Sequence, residues 1–92
     1  MQNIKEIINV LNSLSETEKS IFLEEILTQN ELNILSKRWR ILKMLNQGLT
    51  QREVVKALDV SLCNVTRGAK ILKDKNAIVG KILKENIIKK RE

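Results

Sequence analysis

Apolar residues recur at helical spacing along the whole chain, and no segment alternates with the two-residue period of a strand. The first apolar stripe consists of Ile4, Ile7, Ile8, Leu11 and Leu14. The second consists of Ile21, Phe22, Leu23, Ile26 and Leu27. The third has a broader apolar face and runs to about Gln47; it includes Ile34, Leu35, Ile41, Leu42, Met44 and Leu45. The pattern predicts an all-α fold.

Capping-box sequences stand where the helical period restarts. In such a box a Ser or Thr side chain caps the helix, and a Glu three residues later bonds back to the amide of the capping residue. The pairs are Ser15 with Glu18, Thr28 with Glu31, and Thr50 with Glu53. We therefore predict that a helix begins after each of them. Gly48 is placed to end the third helix in the left-handed conformation.

The second half of the chain predicts three further helices. A short helix is expected over Gln51–Leu58, followed by a tight break at Asp59–Ser61. Ser61 can cap a longer helix over Leu62–Lys73. After a break at Asp74–Asn76, a sixth helix is expected over residues 77–90, with Ile78, Ile82 and Leu83 as its apolar positions. The prediction is therefore six short helices.

Composition removes several classes of function. The 92 residues contain one Cys and no His, which excludes an internal disulfide framework and a multi-Cys zinc site. Without His or a Gly-rich phosphate loop, nothing assembles a nucleophile with a base, so we expect no enzyme and no metal. No apolar run reaches the ~20 residues that cross a bilayer, and the N-terminus does not resemble a secretory signal. The expected location is the cytoplasm, away from membranes.

Charge is distributed unevenly along the chain. Residues 1–35 carry two Lys and six Glu, a net charge of −4. Residues 36–92 carry fifteen basic and five acidic residues, a net charge of +10. A basic half favours nucleic acid as the partner, or less often an anionic membrane surface. Residues 78–91 are amphipathic and basic but lack the aromatic anchors of an interfacial helix, which disfavours the membrane.

The size of the chain favours a homodimer. About 90 residues in six short helices leave much apolar surface that one copy covers poorly. The alternative is a monomer in which the third helix is the central core helix. We predict a single domain over residues 1–92, in which residues 1–47 and 77–90 form the dimer and residues 49–73 form a helix-turn-helix.

The predicted helix-turn-helix has one apolar side and one polar side. Val54 and Leu58 face inward on its first helix. The buried stripe of its second helix is expected to comprise Leu62, Val65, Ala69 and Leu72. The exposed arcs then carry Cys63, Asn64, Thr66, Arg67 and Lys70. Short polar side chains at the start of such a helix meet base edges, and cations further along reach phosphates. The alternative is an ordinary helical hairpin with a solvated basic face.

The segments LSKRWRILKMLNQG, LTQRE and NVTRGAKILK resemble the bacterial tryptophan repressor family. The similarity is close over residues 27–73 and looser over the flanking helices. It implies an intertwined, all-helical homodimer with six helices per chain. It also implies that each subunit binds operator DNA with its helix-turn-helix, after L-tryptophan orients the two reading helices.

The resemblance also implies which residues contact double-stranded DNA. They are Gln51, Arg52, Leu62, Cys63, Asn64 and Thr66. Arg52 is the best candidate for a guanine, whose edge offers two acceptors to one guanidinium. A family lysine and a family serine that contact phosphate are replaced by Val55 and Ala69. The neighbouring cations Lys56 and Lys70, together with Lys73, are therefore expected to contact phosphate. Cys63 is expected at this DNA face rather than as a redox sensor.

The resemblance implies a corepressor site as well. The family holds an indole between two arginines, here Arg38 and Arg67, and Arg67 also binds the carboxylate. The carbonyls of Leu27 and Thr28 in the partner subunit receive the ammonium group. Gly68 matches the small residue that lets the ligand approach.

Two positions depart from that ligand site. Ile71 stands where the family has a serine, and Glu25 where it has a leucine. The ligand is therefore L-tryptophan, a related molecule or none. Without a ligand role, Arg38 pairs with a glutamate of the acidic half and Arg67 contacts phosphate.

Three functions follow from these observations and remain open at this stage. The first is a DNA-binding transcriptional repressor with a corepressor. The second is the same fold binding DNA without a corepressor. The third is a helical interaction module whose basic face binds an acidic protein.

Overall fold

A computed structural model describes the backbone of residues 2–91 and the side chains of residues 3–84. Over residues 2–91 the fold is all-helical, without strands, as predicted. The helices are α1 (Gln2–Asn12), α2 (Glu16–Ile26), α3 (Gln29–Asn46), α4 (Gln51–Leu58), α5 (Leu62–Lys73) and α6 (Ile78–Arg91). The observed end of α3 lies one residue before the predicted one. The side-chain face expected for residues 85–91 lies outside the described residues.

All three predicted capping boxes are present, each with both of its hydrogen bonds. The amide of Ser15 donates to Glu18 over 2.9 Å, and the amide of Glu18 donates to the Ser15 hydroxyl over 3.2 Å. The box that starts α3 pairs Thr28 with Glu31, at 2.9 and 3.1 Å. The box that starts α4 pairs Thr50 with Glu53, at 2.8 and 3.2 Å. These bonds satisfy amides that have no partner within the helix.

The remaining predicted turn features are also observed. The Ser61 hydroxyl accepts the amide of Asn64 over 3.3 Å and so caps α5. Gly48 has a positive φ of 101° after α3, in the region that L side chains rarely adopt. Asp59 ends α4 in the left-handed conformation, with φ 53° and ψ 55°. The short side chain of an Asp tolerates that conformation better than most. These two positive φ values let the chain reverse before and after α4.

The chain divides into two compact units, the first ending at Asn33. We call residues 2–33 the N-terminal unit and residues 34–91 the C-terminal unit. Among the described side chains of the N-terminal unit, none is buried. Its partly buried apolar residues are Leu11, Leu14, Phe22, Leu23, Leu27 and Leu32. Its exposed apolar residues are Ile4, Ile7, Ile8, Val10, Ile21 and Ile26.

The C-terminal unit has a core of its own. Ile41 of α3, Val54 of α4 and Val65 of α5 are at most 2% exposed and form one cluster. Partly buried residues around it are Met44, Leu45, Leu49, Val55, Leu58 and Val60. Burial of Val54 and partial burial of Leu58 confirm the inward face predicted for α4. This core fixes α4 and α5 against the second part of α3.

One predicted core position is wrong. Leu62 was expected in the buried stripe of α5, but it is 55% exposed, whereas Val65 is fully buried. Ala69 and Leu72 are partly buried, as the stripe predicted. Leu62 is the first residue of α5, one turn before the helix enters the core at Val65. Its side chain is therefore accessible, as is that of Cys63.

Candidate ligand cavity and nucleic-acid interface

A partly open cavity of about 160 Å³ lies between α3 and α5 in the C-terminal unit. It is lined by Arg38, Ile41, Leu42, Asn64, Arg67, Gly68 and Ile71. The lining is mostly apolar, and its two charged residues are both arginines. Such a cavity suits a compact apolar group that carries an anion, because apolar walls exclude water while a guanidinium pairs with a carboxylate.

Helical spacing brings the lining residues together. On α3 they stand at positions 38, 41 and 42, and on α5 at positions 64, 67, 68 and 71. Residues three, four and seven apart lie on one face of an α-helix. Each helix therefore turns a single face toward the cavity, and each face carries one arginine.

Gly68 sets how closely α5 approaches α3. It is buried, and a Cβ built on it would lie 2.9 Å from Cγ2 of Ile41. A separation below 3.0 Å forces something to shift, and the branched side chain of Ile41 has little freedom to move. Gly68 was predicted to let the ligand approach. The structure adds a packing reason, which is that a Cβ at this crossing would crowd Ile41.

The predicted ligand residues fall in two places. Arg38, Arg67, Gly68 and Ile71 line the cavity together, and their role in binding a ligand stays a prediction. Leu27 and Thr28 belong to the N-terminal unit, and their predicted role in a partner subunit stays a prediction. The side chain and amide of Thr28 are engaged in the box that starts α3.

Sequence reasoning missed three lining residues. Ile41 and Leu42 were assigned only to the apolar face of α3, and Asn64 only to the DNA face. Spacing could have found them, since 41 and 42 follow Arg38 by three and four residues. Asn64 precedes Arg67 by three and Gly68 by four. Asn64 thus links the predicted DNA-contacting residues with the lining of the cavity.

The predicted DNA-contacting residues lie on accessible surface of α4 and α5. Gln51 is partly buried, and the others are exposed: Arg52, Lys56, Leu62, Cys63, Asn64, Thr66, Lys70 and Lys73. The start of α4 lies beside the second turn of α5, because the hydroxyl of Thr66 donates to the amide oxygen of Gln51 over 3.0 Å. Polar side chains from both helices therefore share one surface.

Electrostatics at the start of α4 reflect its capping box. Hydrogen bonds from the backbone amide and the side chain of Thr50 lower the pKa of Glu53 below its ordinary value. The carboxylate therefore stays ionised next to Arg52 at neutral pH. Its charge lies at the positive end of the helix dipole, where it stabilises α4.

A second cavity of about 370 Å³ contains none of the predicted site residues. It is lined by Arg40, Lys43, Met44, Gln47, Ala57 and Leu58.

Cys63 is an exposed free thiol. In the part of the chain that the structure describes, no three His, Cys, Asp or Glu side chains come together as metal ligands. Within the same part, every helix is too short or too polar to span a bilayer.

Comparison with known proteins extends the resemblance from residues 27–73 to most of the chain. The sequence profile of a family described as Trp repressor protein matches residues 2–87. Proteins named Trp operon repressor homolog in Xylella fastidiosa strains M23, Temecula1 and 9a5c are 43% identical over 63 residues. The match covers 67% of this chain and 68% of each relative. No solved structure matches the chain. Because the profile covers nearly the whole sequence, the chain belongs to the Trp repressor protein family.

Proposed function

We propose that the chain is a sequence-specific DNA-binding transcriptional repressor that acts as a homodimer in the bacterial cytoplasm. The observation that carries this proposal is the shared surface at the starts of α4 and α5. There the Gln51–Thr66 hydrogen bond places the accessible residues of two helices side by side, next to exposed Arg52. A recognition helix whose first turns carry short polar side chains is suited to the major groove.

Exposed apolar surface supports the homodimer. Ile4, Ile21 and Leu35 are each at least half exposed in the single chain. Large apolar side chains left exposed in this number favour a surface that binds another protein. A second copy is the partner proposed here, since it would also supply the second reading helix. Two such helices can then enter successive major grooves on one side of a duplex.

The cavity supports control by a small ligand. Arg67 and Asn64 line it from α5, and α5 also carries the exposed residues proposed to face DNA. A ligand between Arg38 and Arg67 would therefore contact α5, the helix proposed to read DNA. We propose L-tryptophan or a close analogue, with its carboxylate on Arg67 and its ring between the two arginines. Ile71 replaces the serine of the family and offers no hydroxyl to the cavity, so the amino group of the ligand must be held by another residue.

Selection of bound sequences from random duplexes tests the proposal, with and without L-tryptophan. We expect one two-fold symmetric operator, with affinity that rises steeply as salt falls because phosphate contacts release counterions. Arg52→Ala should relax the preference at one base pair by about 5- to 150-fold, the range of a lost bidentate contact. Arg40→Ala is the matched control, because Arg40 is exposed but outside the predicted contact set. Absence of binding even at low salt would favour the protein-interaction module instead.

Calorimetry with L-tryptophan separates the two DNA-binding alternatives. A corepressor should bind with measurable heat and strengthen operator binding, and Arg67→Ala should weaken both. If the ligand gives no heat and leaves DNA affinity unchanged, the chain binds DNA without a corepressor. If Arg67→Ala matches the parent protein in both assays, the role assigned to the cavity is wrong.

A further inference from the structure

We infer that Thr66 holds the side-chain amide of Gln51 so that it presents hydrogen-bond donors to DNA, which makes Gln51 select guanine over adenine. The inference rests on the proposed DNA binding and assigns a base preference and a positioning residue within it. Its starting point is the 3.0 Å hydrogen bond from the Thr66 hydroxyl to the amide oxygen of Gln51.

Both ends of this hydrogen bond are anchored. Gln51 is the first residue of α4 and follows Thr50, whose amide donates to the Glu53 carboxylate and whose hydroxyl accepts the Glu53 amide. Thr66 follows the fully buried Val65 in the middle of α5. Thr is branched at Cβ, which leaves few rotamers in a helix. The Gln51 amide is therefore oriented before any DNA arrives, and ordering it on binding costs little.

The engaged atom decides what the amide can read. A side-chain amide has one oxygen, which can accept two hydrogen bonds, and an NH₂ group with two donors. Adenine offers an acceptor and a donor in the major groove, so bidentate pairing with it needs both the oxygen and the NH₂ of Gln. Guanine offers two acceptors. The Thr66 hydroxyl takes one of the two lone pairs of the Gln51 oxygen and fixes the direction of the amide. The oxygen is then a poorer acceptor for the amino group of adenine, whereas both NH₂ donors remain to meet guanine.

A variant without the hydroxyl tests the inference directly. Thr66→Val keeps the shape of the side chain but removes the donor, whereas Thr66→Ser keeps the donor. The base read by Gln51 is first located as the position at which Gln51→Ala loses preference. At that position we expect the parent protein and Thr66→Ser to favour guanine over adenine. Thr66→Val should shift the ratio toward adenine by about tenfold, the effect of one hydrogen bond.

A double-mutant cycle separates positioning from direct contact. If Thr66 acts through Gln51, the effects of Gln51→Ala and Thr66→Val on base preference will not add. If Thr66 only contacts DNA itself, the two effects add and Thr66→Val lowers affinity equally for both bases. Additive effects, or a parent protein that favours adenine at this position, would overturn the inference while leaving DNA binding intact. Failure of the parent protein to select any sequence removes the proposed function, and this inference with it.

Discussion

The two units of the chain use the same local signals but bury very different amounts of apolar surface. A capping box starts α2 in the N-terminal unit, and another starts α4 in the C-terminal unit. Yet the N-terminal unit buries none of its described side chains, whereas Ile41, Val54 and Val65 form a core in the C-terminal unit. Good helix signals therefore do not ensure a core. In the single chain, the N-terminal helices leave much of their apolar surface exposed.

Charge follows the same division. Residues 1–35 have a net charge of −4, and residues 36–92 have a net charge of +10. An acidic segment repels DNA phosphates, so its exposed apolar residues fit a protein surface better than a nucleic acid. The basic unit contains the arginine-lined cavity and the proposed DNA face. The charge division therefore fits the proposed roles, in which the N-terminal unit forms the dimer and the C-terminal unit binds DNA.

The largest expected effect comes from a charge on the apolar face of α1. Ile8 is 47% exposed in the single chain, so Ile8→Glu should be harmless if that face stays in water. In the proposed dimer the face is buried. Each Ile side chain then contributes about 1.5–3 kcal/mol, and two copies are lost per dimer. We expect dimer dissociation to rise about 100-fold or more, as measured by analytical ultracentrifugation.

Asn9→Glu is the matched control for that variant. It adds the same charge to the neighbouring exposed residue, outside the apolar stripe of α1. It should leave the dimer intact. If Ile8→Glu and Asn9→Glu dimerise equally well, the N-terminal unit does not form the interface. Its exposed apolar side chains are then not explained by dimer formation.

The next effect concerns the core of the C-terminal unit. Ile41 is 2% exposed, and Ile41→Ala should lower the free energy of unfolding by about 2–5 kcal/mol, because it leaves a cavity. Ile21→Ala, at a half-exposed position of the N-terminal unit, offers a contrast. The loss in the free energy of unfolding caused by Ile21→Ala should grow with protein concentration, because this side chain is expected to be buried only in the dimer. Urea unfolding at several concentrations measures both. Equal behaviour of the two variants would contradict the division between the units.

A smaller effect is expected at the crossing of α3 and α5. Gly68→Ala places a methyl group against Ile41 and should cost about 1–3 kcal/mol through overpacking. Gly80→Ala is the control, since a Cβ built there meets no atom within 4 Å and alanine favours helix. The cost of Gly68→Ala should shrink in an Ile41→Ala background, where the clashing methyl group is absent. Thermal unfolding of the four proteins completes this cycle. Strictly additive costs would mean that Gly68 does not set the spacing of the helices.

The features that the sequence predicted well are local ones. The bounds of α4 and α5 follow from Thr50 and Ser61, whose side chains bond to amides three residues away. Such bonds depend only on neighbouring residues, so spacing alone identifies them. The exposure of Leu62 and the presence of Asn64 in the cavity depend instead on where α5 crosses the other helices. A pattern within one helix defines its faces but not the point at which a partner helix touches them.

The smallest expected effect is the acid sensitivity of two of the three capping boxes, those that start α2 and α4. Hydrogen bonds from Ser15 lower the pKa of Glu18, and hydrogen bonds from Thr50 lower that of Glu53, both from an ordinary value of 4.5. A carboxyl whose pKa is lower in the folded chain stabilises the fold above its unfolded pKa. That contribution disappears as the pH falls through the folded value.

Glu18→Gln and Glu53→Gln keep a side chain that can accept the capping bond but remove the charge. Each variant should therefore be slightly less stable than the parent at pH 7, and the difference should vanish as the pH falls below 4.5. Fluorescence of Trp39, which lies in the C-terminal unit, reports the unfolding of α3. We expect Glu53→Gln to change this signal at any protein concentration. Glu18→Gln should change it only where dimer formation couples the N-terminal unit to the core. Identical acid transitions for both variants at low concentration would show that the two units unfold together without a partner.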